Sequence, residues 1–565
     1  MKCLPLLCLV SVAVAASVKT NAPLDEEFGY VTVRPGAHMF WALYHTDQTG
    51  DYTTYPLIMW LQGGPGGSGV GYGNFMELGP YDINGNLRPH AWTKKANLLF
   101  VDNPVGTGYS YAEDYDKFTT DNDQIAKDLV VLVKEVFKTN TDLERMPFFV
   151  YAESYGGKMT VDFALAFDAA IKNGEVVSDF RGVALGDSWI SPMDSVNTWG
   201  SYLYHMGFVN RKGLAAIDAA AAKTQHEVDL GNWEAATTEW GNTEFVVMDV
   251  AHDVNFYNVH AEEDIYMAKT NKKPHSIDLS YMSPQVRHLY QHHVLSHYGQ
   301  PNDALHDFMN GDQAKRWNIP PEVVWDSQGG TVFDRLAGDF MKPVIDSVTK
   351  LLTETNLHVA VFTGNLDLIC DTPGTYNWIE NMEWPGKPDW LAAANVDLHV
   401  GSYSYQAATV QHSGQFSLFT IFRSGHMVPI DAPEIALVMI DQITSFTNEA
   451  KEKQEDKAQL APTAEVKQDT VQSEESPRPS SPTESKAEAP KPSPTKTEAE
   501  APKEEIKDDV HKEKIAKVQA KPHSTKVHKT RRATGKTHGS KPGADVVQVH
   551  SDTPTAMNNL RTVRA

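Results

Sequence analysis

The sequence predicts an α/β fold in which a mostly parallel sheet is covered by helices on both faces. Short, continuously apolar runs alternate with helical stretches along residues 56–187, and similar runs return near residues 358 and 416. Strands that are buried on both faces form unbroken apolar runs, whereas half-exposed strands alternate apolar and polar residues. Helices between such runs supply the crossover connections that parallel strands need.

The individual elements are predicted from apolar runs that are bounded by glycine, proline or polar residues. Residues 21–54 contain short alternating runs, which are typical of antiparallel strands leading into a core. The continuous runs that predict buried strands lie at 56–61, 97–102, 148–153, 182–187, 358–364 and 416–422. Helices are predicted over 121–139, 156–172 and 433–447.

Two segments depart from this alternation. Residues 188–345 lose the strand signal and are longer than an ordinary connection, so we interpret them as a helical insertion, or cap, between core segments 22–187 and 346–448. Residues 449–565 are rich in Pro, Glu, Lys, Ser, Thr and Ala, and residues 451–565 contain no aromatic residue. Such a segment cannot offset its ordering entropy, which predicts a disordered tail.

The N-terminus has the pattern of a secretory signal peptide. Residues 1–16 combine Lys2, an apolar run and small residues at positions 13–15, which predicts a secreted or lysosomal protein. We find no other candidate for a membrane span, so no integral membrane segment is expected. Two of the three cysteines lie in this peptide, so the mature chain would keep only Cys370 and form no intrachain disulfide.

Charge is distributed unevenly along the chain. Residues 1–450 contain 28 Lys+Arg and 55 Asp+Glu, whereas residues 451–565 contain 22 and 18. Contacts to phosphate groups require clustered Lys and Arg. The acidic balance of the folded part therefore disfavours nucleic acid as its partner.

Residues 148–158 have the pattern of a strand, a sharp turn and a helix around Ser154. A serine nucleophile on such a turn needs small neighbours so that strand and helix can pack closely, usually in the spelling G-x-S-x-G. Ala152 and Gly156 occupy the two positions here. Because alanine replaces the first glycine, an ordinary β-α turn is the alternative for this segment taken alone.

A glycine-rich loop at residues 62–69 follows the first buried strand. It satisfies G-x-G-x-x-G, but residues 70–74 start a helix poorly and Asp102 is too distant for the usual ribose contact, which disfavours dinucleotide binding. Glycine-rich loops of hydrolases direct backbone N–H groups at an oxyanion. The loop therefore predicts an oxyanion hole formed by Gly63 and Gly64, with the N–H of Tyr155 as second donor.

A base and an acid follow Ser154 in the order expected for an α/β-hydrolase fold. Asp367 follows the strand at 358–364, and His426 follows the strand at 416–422. Taken singly, Asp367 could cap a helix, and His426 is one of 22 histidines. Their position, their order and the turn at Ser154 together favour a triad in which Ser154 is the nucleophile, His426 the base and Asp367 the residue that orients it.

Five ordered segments resemble the signatures of the serine carboxypeptidase family, and the similarity runs from about residue 29 to residue 447. The segments are WLQGGPG at 60–66, FMELGP at 75–80, VDNPVGTGYS at 101–110, ESYGG at 153–157 and GHMVP at 425–429.

The resemblance implies a carboxypeptidase that removes C-terminal residues from peptides through an acyl-enzyme on Ser154, without metal or cofactor. It further implies that Gln62, Glu77 and Glu153 bind the terminal carboxylate of the substrate, and that activity is favoured at acidic pH because two acids bind an anion only when protonated. Gln62 stands where the family usually has asparagine, and Gly67 where it commonly has cysteine.

Two alternatives to peptide hydrolysis remain open at the level of sequence. The same triad would serve an acyltransferase or esterase, and the fold would also suit a binding protein that has lost catalysis. The preferred C-terminal residues, the oligomeric state and a role for the tail are not predicted by any motif.

Overall fold

The structure, a computed structural model, describes residues 24–261, 304–400 and 405–460. The predicted signal peptide, part of the predicted insertion and the predicted tail beyond residue 460 lie outside the described residues.

One sheet organises the described part of the chain. Its strand order is β1-β2-β4-β3-β6-β7-β8-β11-β10-β9, and β5 pairs with β2. The strands are β1 (Glu26–Arg34), β2 (Ala37–Tyr44), β3 (Leu57–Leu61), β4 (Asn97–Val101), β5 (Tyr111–Ala112), β6 (Pro147–Glu153), β7 (Asp179–Gly186), β8 (His358–Gly364), β9 (Asn395–Leu398), β10 (Ala408–Ser413) and β11 (Phe416–Ile421). The six neighbouring strands β4, β3, β6, β7, β8 and β11 are mutually parallel. The remaining strands pair antiparallel.

Both faces of the sheet are covered, as the unbroken apolar runs predict. In β6, Phe148 and Val150 belong to one buried cluster, whereas Phe149 and Tyr151 belong to the cluster on the other face. Successive side chains of a strand point to opposite faces, so this division places a separate core on each side of the sheet. The prediction of a mostly parallel, doubly covered sheet is confirmed.

The helices lie between and beyond these strands. They are α1 (Asn122–Thr139), α2 (Tyr155–Lys172), α3 (Pro192–Val196), α4 (Trp199–Met206), α5 (Arg211–Asp229), α6 (Trp233–Ala251), α7 (Ala304–Phe308), α8 (Ala314–Arg316), α9 (Gly330–Arg335), α10 (Ala337–Phe340), α11 (Ile345–Glu354), α12 (Thr372–Asn381), α13 (Lys387–Ala392), α14 (Val428–Asp431) and α15 (Pro433–Leu460). Two π-helical segments occupy Gly69–Leu78 and Met309–Gln313. Where the structure describes the chain between β7 and β8, it has helices and no strand. Among the described helices, none has both the length and the apolar character needed to cross a membrane.

The glycine-rich segment after β3 is the main departure from the predicted elements. Residues 70–74 were expected to start a helix poorly, yet a π-helical segment begins at Gly69. Asp102 explains this difference, because its carboxylate accepts hydrogen bonds from the N–H of Val70 (3.1 Å), the hydroxyl of Ser68 (2.6 Å) and the N–H of Tyr109 (2.8 Å). A buried acid at the start of the segment thus overrides weak local propensity.

Two further elements differ from the predictions. The antiparallel strands β9 and β10 were not predicted, because residues 395–398 are largely exposed and carry no continuous apolar run. The last helix extends past the predicted end at residue 447 to Leu460, so residues 449–460, which the composition assigned to the tail, are helical. Ala, Glu, Lys and Gln dominate that stretch, and all four residue types favour helices.

Candidate active site

Ser154 lies at the junction of β6 and α2, in the middle of the sheet. Its backbone has φ 61° and ψ −130°, a conformation that costs a non-glycine residue about 1–3 kcal/mol. Three backbone hydrogen bonds hold it there. The N–H of Ser154 donates to the carbonyl of Gly186, and its own carbonyl accepts from the N–H groups of Gly157 and Trp189, each at 3.0 Å. The surrounding strands therefore impose the sharp turn that the sequence predicts.

Two glycines allow the backbone to pack against this turn. A Cβ at Gly156 would lie 2.3 Å from the carbonyl oxygen of Leu61, and a Cβ at Gly63 would lie 2.5 Å from the Cβ of Ser154. Ala152, by contrast, is accommodated as a fully buried residue between β3 and β7. Position 152, where alanine replaces the usual glycine, thus has room for a methyl group, whereas position 156 has none.

Replacing Gly156 with Ala is expected to lower the free energy of unfolding by about 1–3 kcal/mol, because the new methyl group overlaps the backbone of β3. Chemical denaturation measures the change. Gly311→Ala is the matched control, since a Cβ there meets no atom within 4 Å. Equal stability of the two variants would contradict the close approach.

Asp367 and His426 follow the adjacent strands β8 and β11. The Nδ1 atom of His426 lies 2.8 Å from Oδ2 of Asp367, and the N–H of Ile369 donates to Oδ1 of Asp367 at 3.0 Å. Both side chains are fully buried. This pairing fixes the proton of the imidazole on Nδ1 and leaves Nε2 as the basic nitrogen.

The Nε2 atom of His426 is buried and has no hydrogen-bond partner among the described residues, Ser154 included. Catalytic hydrogen bonds in the absence of substrate are often long and tighten only in the complex. Burial lowers the pKa of His426 to about 4, and a negative charge on the Asp187 carboxyl would act in the opposite direction. The imidazole is therefore neutral, and able to accept a proton, above about pH 4.

The glycine-rich loop lies directly against the serine. A Cβ at Gly63 would lie 3.0 Å from Oγ of Ser154, and Gly64 has φ +111°, which favours glycine. Tyr155 is the first residue of α2, so its N–H has no acceptor within the helix. The structure thus brings the loop at Gly63 and the N-terminus of α2 together at Ser154, and an oxyanion hole formed there stays a prediction.

Residues 327–329 hold the other side of this loop. The N–H of Ser68 donates to the carbonyl of Ser327 (3.0 Å), and the N–H of Gly329 donates to the carbonyl of Gly66 (2.8 Å). Gly67 forms an antiparallel bridge with Gln328. At the position where the family commonly has cysteine, the loop is therefore tied to residues 327–329 by backbone hydrogen bonds.

Gln62, Glu77 and Glu153 form a buried cluster beside Ser154. The Nε2 atom of Gln62 donates to Oε1 of Glu77 at 2.9 Å and to Oε1 of Glu153 at 2.8 Å. Its Oε1 accepts from the indole of Trp60 at 2.7 Å. These three hydrogen bonds orient the Gln62 amide, and both of its N–H groups are used by the two acids.

The pKa values of the two glutamates are raised well above those of ordinary carboxyl groups, so both stay protonated at higher pH. Burial raises the pKa of Glu77 to about 8, although the hydrogen bond from Gln62 acts in the opposite direction. Burial, followed by the carboxyl groups of Glu77 and Asp187, raises the pKa of Glu153 well above its ordinary value. The contact between the two carboxyl groups raises the pKa of Glu153 further and acts against the rise in the pKa of Glu77. A protonated acid is a donor, so the cluster can bind a carboxylate.

Asp187 is a polar residue of the site for which no role was predicted from the sequence. It follows β7, between the strands that carry Ser154 and Asp367, and it is fully buried. Its Oδ1 accepts from the N–H of Gly364 at 2.8 Å, and its carboxyl shares a hydrogen bond with that of Asp367. The signal that could have found it is its position at the carboxyl end of a parallel strand, as for Ser154.

Cys370 also lies at the site. Asp367, Cys370 and His426 each place one potential metal-ligand atom within 4.8 Å of the other two. Burial raises the pKa of the Cys370 thiol well above its ordinary value, so the thiol is un-ionised and poorly nucleophilic. Because Nδ1 of His426 is already bonded to Asp367, we assign no metal to these residues, and a metal-free site remains a prediction.

Comparison with known proteins decides the family. The sequence profile described as "Serine carboxypeptidase" matches residues 17–446. The chain belongs to the serine carboxypeptidase family. It is 40% identical to the retinoid-inducible serine carboxypeptidase of Mus musculus over 77% of this chain and 95% of that protein. It is 36% identical to serine carboxypeptidase-like 51 of Arabidopsis thaliana over 75% of this chain and 93% of that protein.

A solved structure agrees on the fold. Kex1(delta)p, a prohormone-processing carboxypeptidase from Saccharomyces cerevisiae, superposes with a TM-score of 0.62 at 19% identity, over 76% of this chain and 93% of that one. The α/β-hydrolase fold predicted from the order of Ser154, Asp367 and His426 is confirmed. As a member of the serine carboxypeptidase family, the protein is a serine-type carboxypeptidase and a hydrolase of peptides.

Proposed function

We propose that Ser154, His426 and Asp367 carry out the reaction. The Nε2 atom of His426 takes the proton of the Ser154 hydroxyl as Oγ attacks the carbonyl carbon of the last peptide bond. Backbone N–H groups of Gly64 and Tyr155 donate to the oxygen that becomes negative. His426 then protonates the leaving amino group, the C-terminal amino acid departs, and water hydrolyses the acyl-enzyme on Ser154. The 2.8 Å contact between His426 and Asp367 supports these roles.

The specificity for a free C-terminus is proposed to come from Glu77 and Glu153. The observation that carries this proposal is the burial of two hydrogen-bonded carboxyl groups, one of them in the residue that precedes Ser154. Two ionised carboxylates would repel the terminal carboxylate of a substrate, whereas protonated ones donate hydrogen bonds to it. Gln62 positions the acids, since both of its N–H groups already donate to them.

Activity is proposed to extend from acidic to neutral pH, with a different group behind each limit. Below about pH 4 the imidazole of His426 is protonated and cannot act as a base. Above about pH 8 Glu77 loses its proton, and recognition of the terminal carboxylate weakens. For a peptide with a free C-terminus we therefore expect kcat/KM to fall on both sides of this range.

The measurement compares pH profiles for that peptide and for an ester whose C-terminus is blocked. The ester does not use the acid pair, so it should keep the limb near pH 4 and lose the limb near pH 8. An identical alkaline limb for both substrates would show that the acid pair does not recognise the carboxylate.

We further propose that residues 1–16 are removed on entry to the secretory pathway and that the protein is secreted or lysosomal. The pattern of Lys2, an apolar run and small residues supports this proposal. Sequencing the N-terminus of the protein from expressing cells tests it, and a retained Met1 in the active enzyme would contradict it.

A further inference from the structure

The candidate site contains a second buried pair of carboxyl groups, Asp187 and Asp367. Neither side chain has any exposed surface, and the two share a hydrogen bond. Two carboxyl groups in hydrogen-bond contact cannot both be ionised in a buried site, because a carboxylate has no proton to donate. One of the two must therefore carry a proton.

The surrounding donors decide which of the two is ionised. Asp367 accepts hydrogen bonds from the N–H of Ile369 (3.0 Å) and from Nδ1 of His426 (2.8 Å), so both of its oxygens are acceptors. Asp187 accepts one hydrogen bond at Oδ1, from the N–H of Gly364 at 2.8 Å, and no N–H or hydroxyl group of the described residues donates to its Oδ2. The acid with fewer donors is the one that keeps the proton.

We infer that Asp187 is a neutral positioning residue, whose carboxylic acid donates a hydrogen bond to Asp367 and thereby fixes the carboxylate that orients His426. The inference rests on the proposed roles of Asp367 and His426. Asp187 itself touches neither the substrate nor the reacting atoms in this scheme.

The groups that face Asp187 fit a neutral side chain. Besides Asp367, the charge interactions of Asp187 involve Glu153, Cys370 and His426. Two of these groups, Asp367 and Glu153, are carboxyls, and burial raises the pKa of Asp187 well above its ordinary value. An ionised Asp187 would repel the Asp367 carboxylate and would stabilise a charged His426, which would impair its role as a base.

Two substitutions separate this role from a merely structural one. The backbone of Asp187 has φ 38°, a conformation that Asn and Gly tolerate better than other residues, so Asp187→Asn and Asp187→Gly are matched in backbone terms. The Asn amide can donate to Asp367 and accept from Gly364, whereas Gly can do neither. With the blocked ester, which bypasses Glu77 and Glu153, we expect Asp187→Asn to retain most of kcat. Asp187→Gly should lose about 10- to 100-fold in kcat with little change in KM.

The pH profile of Asp187→Asn supplies a test that does not depend on the folding of the Gly variant. If Asp187 is neutral, its replacement by neutral Asn leaves the acidic limb for the blocked ester where it is in the wild type. If Asp187 is ionised, removing its charge moves that limb to lower pH by about one unit or more. Such a shift would overturn the inference, and so would equal losses of kcat in the Asn and Gly variants.

Labelling of the wild-type enzyme by a fluorophosphonate distinguishes an error in the inference about Asp187 from an error in the proposed triad. Wild-type enzyme labelled at Ser154, combined with an acid limb that moves in Asp187→Asn, refutes only the neutral Asp187. Absence of labelling at Ser154 refutes the proposed nucleophile instead.

Discussion

Replacing Ser154 with Ala is expected to lower kcat for peptide hydrolysis by about 10⁵- to 10⁶-fold, because the proposed acyl-enzyme forms on the Oγ atom that this substitution removes. The fold should persist, because the hydrogen bonds that hold the turn are made by the backbone of residue 154 and alanine keeps all of them. Release of free amino acid from a peptide, followed together with thermal unfolding, measures both effects.

Ser188→Ala is the matched control for this substitution. Ser188 is also buried, shortly after the end of β7, but its hydroxyl donates to the carbonyl of Gly186 at 2.9 Å and has no part in the proposed reaction. The control should retain most of the wild-type rate. A comparable rate in Ser154→Ala would remove Ser154 from the mechanism.

Replacing Glu77 with Ala is expected to reduce kcat/KM about 10- to 100-fold for a peptide with a free C-terminus, and much less for a blocked ester. A hydrogen bond to a charged group contributes about 1.5–3 kcal/mol, and only the free carboxylate receives it. The informative quantity is the ratio of the two kcat/KM values, because a general loss of stability or folded enzyme affects both substrates equally.

Glu244→Ala provides the comparison for Glu77→Ala. Glu244 is a buried glutamate in α6, within the predicted insertion, and its loss should leave the ratio unchanged. If Glu77→Ala lowered both substrates to the same extent, Glu77 would be a structural residue and another group would have to recognise the C-terminus.

Local sequence patterns predicted the parts of the fold that depend on local physics. The parallel strands are unbroken apolar runs, and α1 is amphipathic, with Ile125, Leu129 and Val136 in the core. The turn at Ser154 was predicted from small neighbours, and Asp367 and His426 from their positions after strands. The carboxyl ends of parallel strands lie at the same edge of a sheet. Residues that directly follow such strands are therefore expected to lie close together, even when they are distant in sequence.

Other features depend on contacts that no local pattern encodes. From the residues alone, Glu77 has the pattern of a surface helix residue, and its burial results from a π-helical segment that Asp102 stabilises from a later strand. Only the resemblance to the family indicated its role. Asp187 needed the structure, because its partner Asp367 lies 180 residues away in sequence. Ala152 weakened the motif in sequence, although a methyl group fits there in three dimensions.

The most direct measurement is mass spectrometry of one peptide digested in two forms, with a free C-terminal carboxylate and with a C-terminal carboxamide, between about pH 4 and pH 8. We expect stepwise loss of single residues from the C-terminus of the free acid, and little or no loss from the amidated peptide, because in the proposed mechanism Glu77 and Glu153 recognise the carboxylate. Internal cleavage, or equal digestion of both forms, would contradict a serine carboxypeptidase whose acid pair selects the free C-terminus.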